Sequence, residues 1–517
     1  MAEAFNASQW LLDRNVDAGL GTRIAVRCQG ETLTYAELLS RVEATAAGLR
    51  RLGLRPEERI FMVLLDSVEF LCTFLGGLRI GAIPVPANPL LPADQLATIG
   101  ADARARLAVV SSGRTGLVEA LRDGCRELTA IVVAGGAPED PIGPSAAGWD
   151  EVLGPGNGGG DGAAFSSRPD SPGFWLCTSG TTGHPKLAMH RHIDLKVTAD
   201  TYGRSVLRIT PEDRCYSVGP MFHAYGLGNS MTFPLSAGAT TILEPTRPPT
   251  PALVGQVTGR EEPTLFFSIP TSFAALAASD LPGDTFRSVR AGVSAAEPLP
   301  AEIWRRFNER FDVEILDGIG STEALHIFIS NLPGDIEPGS SGRVVDGYDA
   351  RIVDDEGSDV GPGEPGHLLI RGESLATGYW GQAAWSRRTF VGEWARTGDV
   401  YVMSPEGRYT YMGRSDDMMK VSGEWVSPAE VEAVLVEHPA VLESAVVGAV
   451  DGQGLHKPVA FVVLHAGKKA DPDELISFCR GKLAGYKCPR RFVVVPELPK
   501  TATGKIQRFR LRAEASA

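Results

Sequence analysis

The run Ile60 to Leu65 holds six apolar residues in succession and leaves no polar face. A strand of that kind has both faces covered, so it belongs inside a layered sheet. Helical patterns flank it. Thr34-x-x-Glu37 forms a capping box, and Leu38, Leu39, Val42, Ala46 and Leu49 follow at helical spacing until Gly53. A second helix is predicted over Val68 to Arg79, with Gly81 near its end, and Leu107 to Val110 and Thr129 to Ala134 read as further strands. Strands separated by helices define an α/β sheet. The chain of 517 residues is too long for one simple core and implies two or more domains.

The alternation continues after a Gly/Ser/Pro-rich connector, Gly154 to Gly173, which reads as a surface crossover within one large domain. Phe174 to Cys177 is a buried strand. Leu265 to Ile269, Ser288 to Gly292 and Glu314 to Leu316 are short strands, with a helix carrying Ile303, Trp304 and Phe307 before the last. From about Gly342 to Tyr411, alternating stretches such as Ala350 to Val353 and His367 to Arg371 indicate a β-rich subdomain. Near Gly413-Arg414-Ser415-Asp416-Asp417 the texture changes again. Ser427 as N-cap, Pro428 and Glu430 start a helix. Strands at Ser444 to Val450, Val459 to Leu464 and Arg491 to Val495, with a helix over Asp473 to Leu483, make a small α+β domain.

Composition narrows the class. The chain is 43% hydrophobic and 22% charged, as expected of a soluble globular protein. Its richest apolar stretch, Phe70 to Val85, is short for a membrane helix and contains Arg79, and the N-terminus lacks the pattern of a signal peptide. Seven scattered cysteines without a C-x-x-C pair predict reduced thiols in a cytoplasmic protein and no structural zinc. The formal charge of −13 argues against general nucleic-acid binding.

Chemistry concentrates in a few loops. Thr178-Ser179-Gly180-Thr181-Thr182-Gly183-His184-Pro185-Lys186 crowds four hydroxyls, two glycines and a lysine together. By residue type it is either a polyphosphate cradle or a hydroxyl-rich surface turn, and it lacks the Walker A order. Met221-Phe222-His223-Ala224-Tyr225-Gly226-Leu227-Gly228-Asn229 sets aromatic rings beside small residues, which makes a flat apolar slot or an ordinary helix entry. Asp317-Gly318-Ile319-Gly320-Ser321-Thr322-Glu323 joins a tight turn to a hydroxyl and a carboxylate of the type that binds Mg²⁺ beside phosphates; the other reading is a capped turn.

Together these loops resemble the adenylate-forming superfamily, and in particular its benzoate-CoA ligase branch. Ser294-Ala295-Ala296-Glu297, Arg396-Thr397-Gly398-Asp399, Gly413 to Asp417 and Leu498-Pro499-Lys500-Thr501-Ala502-Thr503-Gly504-Lys505 carry the same resemblance. It implies an N-terminal AMP-binding domain over 1–415, with α/β layers and a β-rich subdomain, and a mobile α+β domain over 416–517. It implies Mg·ATP on Thr178 to Gly183 and Lys186, with adenine and ribose on Ser294 to Glu297, Asp317, Gly318, Ile319, Asp399 and Arg414. Thr322 is assigned to the α-phosphate, Glu323 to Mg²⁺ and Lys505 to catalysis. Ala224, Tyr225, Gly226, Gly320, His326 and Ile327 would hold the acid, and Lys420, Ser422, Gly423 and Trp425 the CoA arm, with Asp416 as hinge. Three departures from the family pattern stand out: Leu187 where glycine is usual, Ile319 where many members have tyrosine, and His223 where phenylalanine is common in benzoate-CoA ligases, although histidine is frequent there in the wider superfamily.

The implied reaction joins benzoate, anthranilate or a hydroxybenzoate to CoA through an aryl-AMP. The implied partners are the acid, ATP and CoA, in a monomer or homodimer without nucleic acid or membrane. Two alternatives are an adenylating enzyme that loads a carrier protein's phosphopantetheine, and a non-catalytic nucleotide-binding regulator. Lys186, Glu323, Asp399 and Lys505 together weigh against the second.

Overall fold

The computed structural model describes residues 3–135, 146–154, 161–178, 185–421, 424–450, 456–500 and 506–515. The apolar run becomes the strand Arg59–Val63 in a five-stranded parallel sheet, ordered Ile83–Pro86, Arg59–Val63, Ala105–Ser111, Ala130–Ala134, Ala146–Gly148. The helix Tyr35–Arg51 begins at the expected box: the Thr34 hydroxyl accepts from the Glu37 N–H, and the Glu37 carboxylate accepts from the Thr34 N–H at 2.8 Å. The helix Val68–Arg79 is buried along almost its whole length. It packs closely on the first helix, where a Cβ at Gly76 would stand 3.1 Å from Thr45. The described part of the connector lies on these helices, with the Phe165 N–H donating to the Arg79 carbonyl at 2.7 Å.

A nine-stranded sheet forms the second layer. Its parallel centre runs Ile315–Gly320, Ala291–Ser294, Leu265–Ser268, Arg214–Ser217, Thr240–Leu243 and Ile24–Cys28. The strand expected over Ser288 to Gly292 starts later, at Ala291, because the Val289 N–H closes a turn on the Phe286 carbonyl at 2.8 Å. Phe174 to Cys177 is indeed a buried strand, but it lies in neither large sheet. Pro172–Thr178 pairs antiparallel with Lys186–Arg191, so the hydroxyl-rich loop joins the two arms of a hairpin.

The β-rich region is an antiparallel sheet of Tyr348–Val353, Pro365–Gly372, Trp394–Met403, Phe390–Val391 and Tyr409–Arg414. The small C-terminal domain has the sheet Val441–Val450, His456–Leu464, Arg491–Val494. Its first helix, Pro428–Val436, is capped as expected, with the Ser427 hydroxyl accepting from the Glu430 N–H at 3.0 Å. Among the described residues, no helix is long and apolar enough to cross a membrane.

Candidate active site

Ligands of open α/β sheets bind beyond the carboxyl ends of the parallel strands. Here Ser268, Ser294 and Asp317 are register neighbours at those ends, and all three are buried. The Ser268 hydroxyl has no partner among the described residues. Burial pushes the Asp317 carboxyl well above the usual range, against the Ser294 hydroxyl and the N–H groups of Leu299 and Gly318. The loop leaving Ser294 is strained: Ala296 has φ of 78°, a conformation that a side chain disfavours. Such strain is retained where a loop serves a ligand. Ala295 is buried beside it, and Gly318 and Ile319 continue the neighbouring strand. A Cβ at Gly318 would stand 2.7 Å from the Ile329 carbonyl oxygen, so the close strand pairing requires glycine.

The hairpin brings its second arm to this edge. Thr178 is buried and its hydroxyl has no partner among the described residues. The Lys186 ammonium lies 4.2 Å from the Trp385 ring centre and 4.8 Å from that of Tyr379. Burial lowers its pKa, while Glu323 opposes the shift. Leu187, the departure from the family pattern, is buried against the first sheet's core, so the strand continues through it. Glu323 accepts from the Tyr379 hydroxyl at 2.6 Å. Thr322 is held through its carbonyl by His190 Nε2 at 2.8 Å, and His190 Nδ1 is 3.1 Å from Asp194. A lysine, an unpartnered hydroxyl and one carboxylate fit a polyphosphate carrying Mg²⁺, which takes few protein ligands. Ser179, Gly180, Thr181, Thr182 and Gly183 lie outside the described residues.

At the β-rich edge, Arg414 donates to Asp399 at 3.0 Å and to the Thr397 carbonyl at 3.1 Å. Gly398, at φ of 77°, could carry no side chain without meeting Arg414 at 2.8 Å. The chain then passes through Asp416 between two fixed points. Ser415 is bound to Gly398 by its N–H at 3.0 Å and its hydroxyl at 3.1 Å. Asp417 is paired with Arg508 and Arg512 of the last helix.

The aromatic slot is also assembled. His326 is 2% exposed, and the rings of Tyr202, Tyr225 and Phe233 stand 5.2, 5.7 and 4.5 Å from it. Its Nε2 meets Asn229 Oδ1 at 3.1 Å. Burial lowers its pKa to about 3, so the ring is neutral at ordinary pH and Nε2–H is the donor to Asn229. The Tyr225 hydroxyl is committed to the carbonyls of Val293 at 2.9 Å and Ser268 at 3.1 Å. Ala224, Gly226 and Ile327 are buried beside them. Gly226 and Gly320 have no room for a side chain: a Cβ would stand 2.1 Å from the Pro220 carbonyl oxygen or 2.6 Å from that of His326. The Tyr225 hydroxyl and His326 Nε2 are thus spent on the protein, whereas His326 Nδ1 is buried without a partner among the described residues.

From the C-terminal domain, the Ile506 N–H donates to the Glu297 carboxylate at 3.3 Å. The contact joins the segment next to Lys505 to the loop after Ser294; Lys505 itself lies outside the described residues. Lys420 is on the strand Met419–Val421 and pairs in register with Trp425, which is 49% exposed; Ser422 and Gly423 also lie outside. Sequence reasoning did not single out Tyr379, His190, Asn229 or Ser268 as site residues. His190 lies near the end of the strand Lys186–Arg191 and Asp194 in the first turn of the helix His192–Thr198, so their contact at 3.1 Å is made across the strand–helix junction and carries no sequence signal.

The Lys186–Glu323 edge, the Asp399–Arg414 pair and the buried aromatic cluster have the chemistry that an enzyme acting on a nucleotide and a flat apolar substrate would need. Residues 12–380 match the AMP-binding enzyme family and residues 430–505 its C-terminal domain. The benzoate–CoA ligase of Thauera aromatica is 44% identical across 99% of this chain and 96% of its own length. A benzoate CoA ligase from Burkholderia xenovorans superposes with a TM-score of 0.90 at 41% identity, over 98% of this chain and all of its own. An anthranilate CoA ligase in complex with anthranoyl-AMP does so at 0.94 and 39% identity, covering 100% and 98%. The chain belongs to the AMP-binding enzymes, in the benzoate-CoA ligase branch of the adenylate-forming superfamily, which are AMP-forming acid–thiol ligases.

Proposed function

We propose that this chain converts benzoate, ATP and CoA to benzoyl-CoA, AMP and pyrophosphate, working as a two-domain enzyme divided at 415/416. The observation that supports the adenylating step is the Ile506 N–H on Glu297, which ties the residue that follows Lys505 in the chain to the loop after Ser294. A free carboxylate is a poor acyl donor, because oxide would have to leave. Its attack on the α-phosphorus of Mg·ATP expels pyrophosphate and gives a mixed anhydride. The CoA thiol then attacks the carbonyl carbon and AMP leaves. Glu323 would hold the Mg²⁺ that arrives with ATP, which would offset the phosphate charge.

In this reading Thr178 to Gly183 and Lys186 hold the leaving pyrophosphate. Thr322 steadies the α-phosphate, Glu323 takes the metal, and Asp399 takes the ribose hydroxyls with Arg414 beside it. Ser294, Ala295, Ala296, Glu297, Asp317, Gly318 and Ile319 line the base. Lys505 supplies the cation at the attacked phosphorus. Asp416 is the pivot, because its neighbours are fastened to different bodies. Rotation there carries Lys505 out and brings Lys420, Ser422, Gly423 and Trp425 to the thiol's path. Asp416 and the groups on either side are thus a hinge in the ordinary sense.

Benzoate is favoured first because a relative 44% identical over nearly the full length is a benzoate–CoA ligase. It is favoured also because the Tyr225 hydroxyl and His326 Nε2, beside Ala224, Gly226, Gly320 and Ile327, are committed to the protein, which leaves His326 Nδ1 as the one polar atom of the two side chains without a partner among the described residues. Free CoA, rather than a carrier's pantetheine, is the acceptor named in the full-length relatives. The test is kcat/KM for benzoate, 2-aminobenzoate, the hydroxybenzoates and cinnamate with CoA as the sole thiol. Benzoate is expected to lead. A hydroxybenzoate or aminobenzoate ahead by about tenfold would overturn the substrate assignment, and adenylation without thioester would overturn the acceptor.

A further inference from the structure

Tyr379 is not among the residues that the resemblance assigns to the site, yet it touches groups on both sides of the phosphate edge. Its hydroxyl donates to Glu323 at 2.6 Å, and its ring centre lies 4.8 Å from the Lys186 ammonium. The side chain is 4% exposed and packs on Ala188 and Ala376. Its backbone is fastened to the same two elements. The Ala376 N–H donates to the Glu323 carbonyl at 2.7 Å, the Trp380 N–H to the Leu187 carbonyl at 2.9 Å, and the Met189 N–H to the Gly378 carbonyl at 2.9 Å. The segment thus bridges antiparallel to the phosphate hairpin at Ala188 and is tied at its start to the residue assigned to the metal.

We propose that Tyr379 is a positioning residue for adenylation, setting the Glu323 carboxylate and the Lys186 ammonium at the separation that Mg·ATP requires. The inference rests on the reading of this edge as the ATP site. A phenol bound to Glu323 Oε1 fixes the carboxylate's rotamer and leaves Oε2 to face a cation. The aromatic faces of Tyr379 and Trp385 give the ammonium a resting place other than direct collapse onto Glu323.

The test is calorimetric binding of ATP to the full-length protein without aryl acid, with and without Mg²⁺. Tyr379→Phe keeps the ring and loses the hydroxyl. It is expected to weaken Mg²⁺-dependent ATP binding by about tenfold and to leave Mg²⁺-free binding within about twofold of wild type. In a Glu323→Gln background the same change should have almost no further effect, since the two groups act as one unit. Equal losses with and without Mg²⁺, no loss, or full additivity with Glu323→Gln would each overturn the proposal. Wild-type protein that binds no ATP would instead overturn the reading of the site, and the inference with it. Tyr379→Leu, which also removes the ring, is expected to weaken binding under both conditions; binding equal to that of Tyr379→Phe would remove Lys186 from the proposal.

Discussion

His326 shows what a single buried residue does to the enzyme's response to acid. Its pKa is lowered to about 3, and that of His192, which accepts from the Ala7 N–H at 3.2 Å, to about 4; burial is the first cause in both. The ordinary value is 6.5. As pH falls below it, the unfolded chain takes up protons at these positions and the folded chain does not. Stability is therefore full above that value and is lost progressively as pH falls toward the folded values. Each group contributes about 1.4 kcal/mol per pH unit across that window. Thermal melts between pH 7 and pH 5 should show His326→Gln flattening the acid slope by about one proton's worth. An unchanged slope would mean that His326 is already charged in the folded state. Residue type and motif marked His326 as the end of an aromatic slot. Its neutrality was not legible, because Tyr202, Asn229 and Phe233 reach it from another element.

At the scale of elements, the strands Ile315–Gly320 and Ile327–Ser330 form one antiparallel pair that carries residues proposed for the base and residues proposed for the acid. Gly320 sits against the His326 carbonyl, where any Cβ would stand at 2.6 Å from the oxygen. Gly320→Ala should destabilise the fold by about 1–3 kcal/mol through this overpacking. It should also lower kcat/KM for the aryl acid while leaving ATP binding in place. Chemical denaturation with steady-state kinetics checks both, and a variant of wild-type stability and specificity would show that the pairing has slack. Much of the element order was readable where local chemistry is strong, as at Thr34 with Glu37 and at Ser427 with Glu430. The hairpin was not. Phe174 to Cys177 shows only an apolar run, and its partner lies beyond the loop, so neither pairing direction nor sheet membership is encoded locally. The same limit shifted the strand at Ala291, whose start is set by the turn at Phe286.

Across the whole molecule, the C-terminal domain rests on the large one at a few points. Arg306 donates to the Val436 carbonyl at 3.1 Å and to Glu302 at 2.7 Å, and Ile506 meets Glu297. Between them lies a cavity of about 330 Å³ lined by Ala274, Ala277, Ile303, Pro439, Leu442 and His465. A seam with polar point contacts and unfilled apolar space is suited to parting and closing again. Domain order was legible from the change in texture near Gly413, whereas this seam, built from residues over a hundred positions apart, was not. The central claim is that one closed arrangement serves adenylation and another serves thioester formation. The direct measurement is Lys505→Ala assayed separately for aryl-AMP formation from ATP and for aryl-CoA formation from supplied aryl-AMP. Adenylation is expected to fall by about 10²–10³ or more, with thioester formation within about twofold of wild type. Equal loss of both half-reactions in folded protein, or adenylation that survives, would contradict the account.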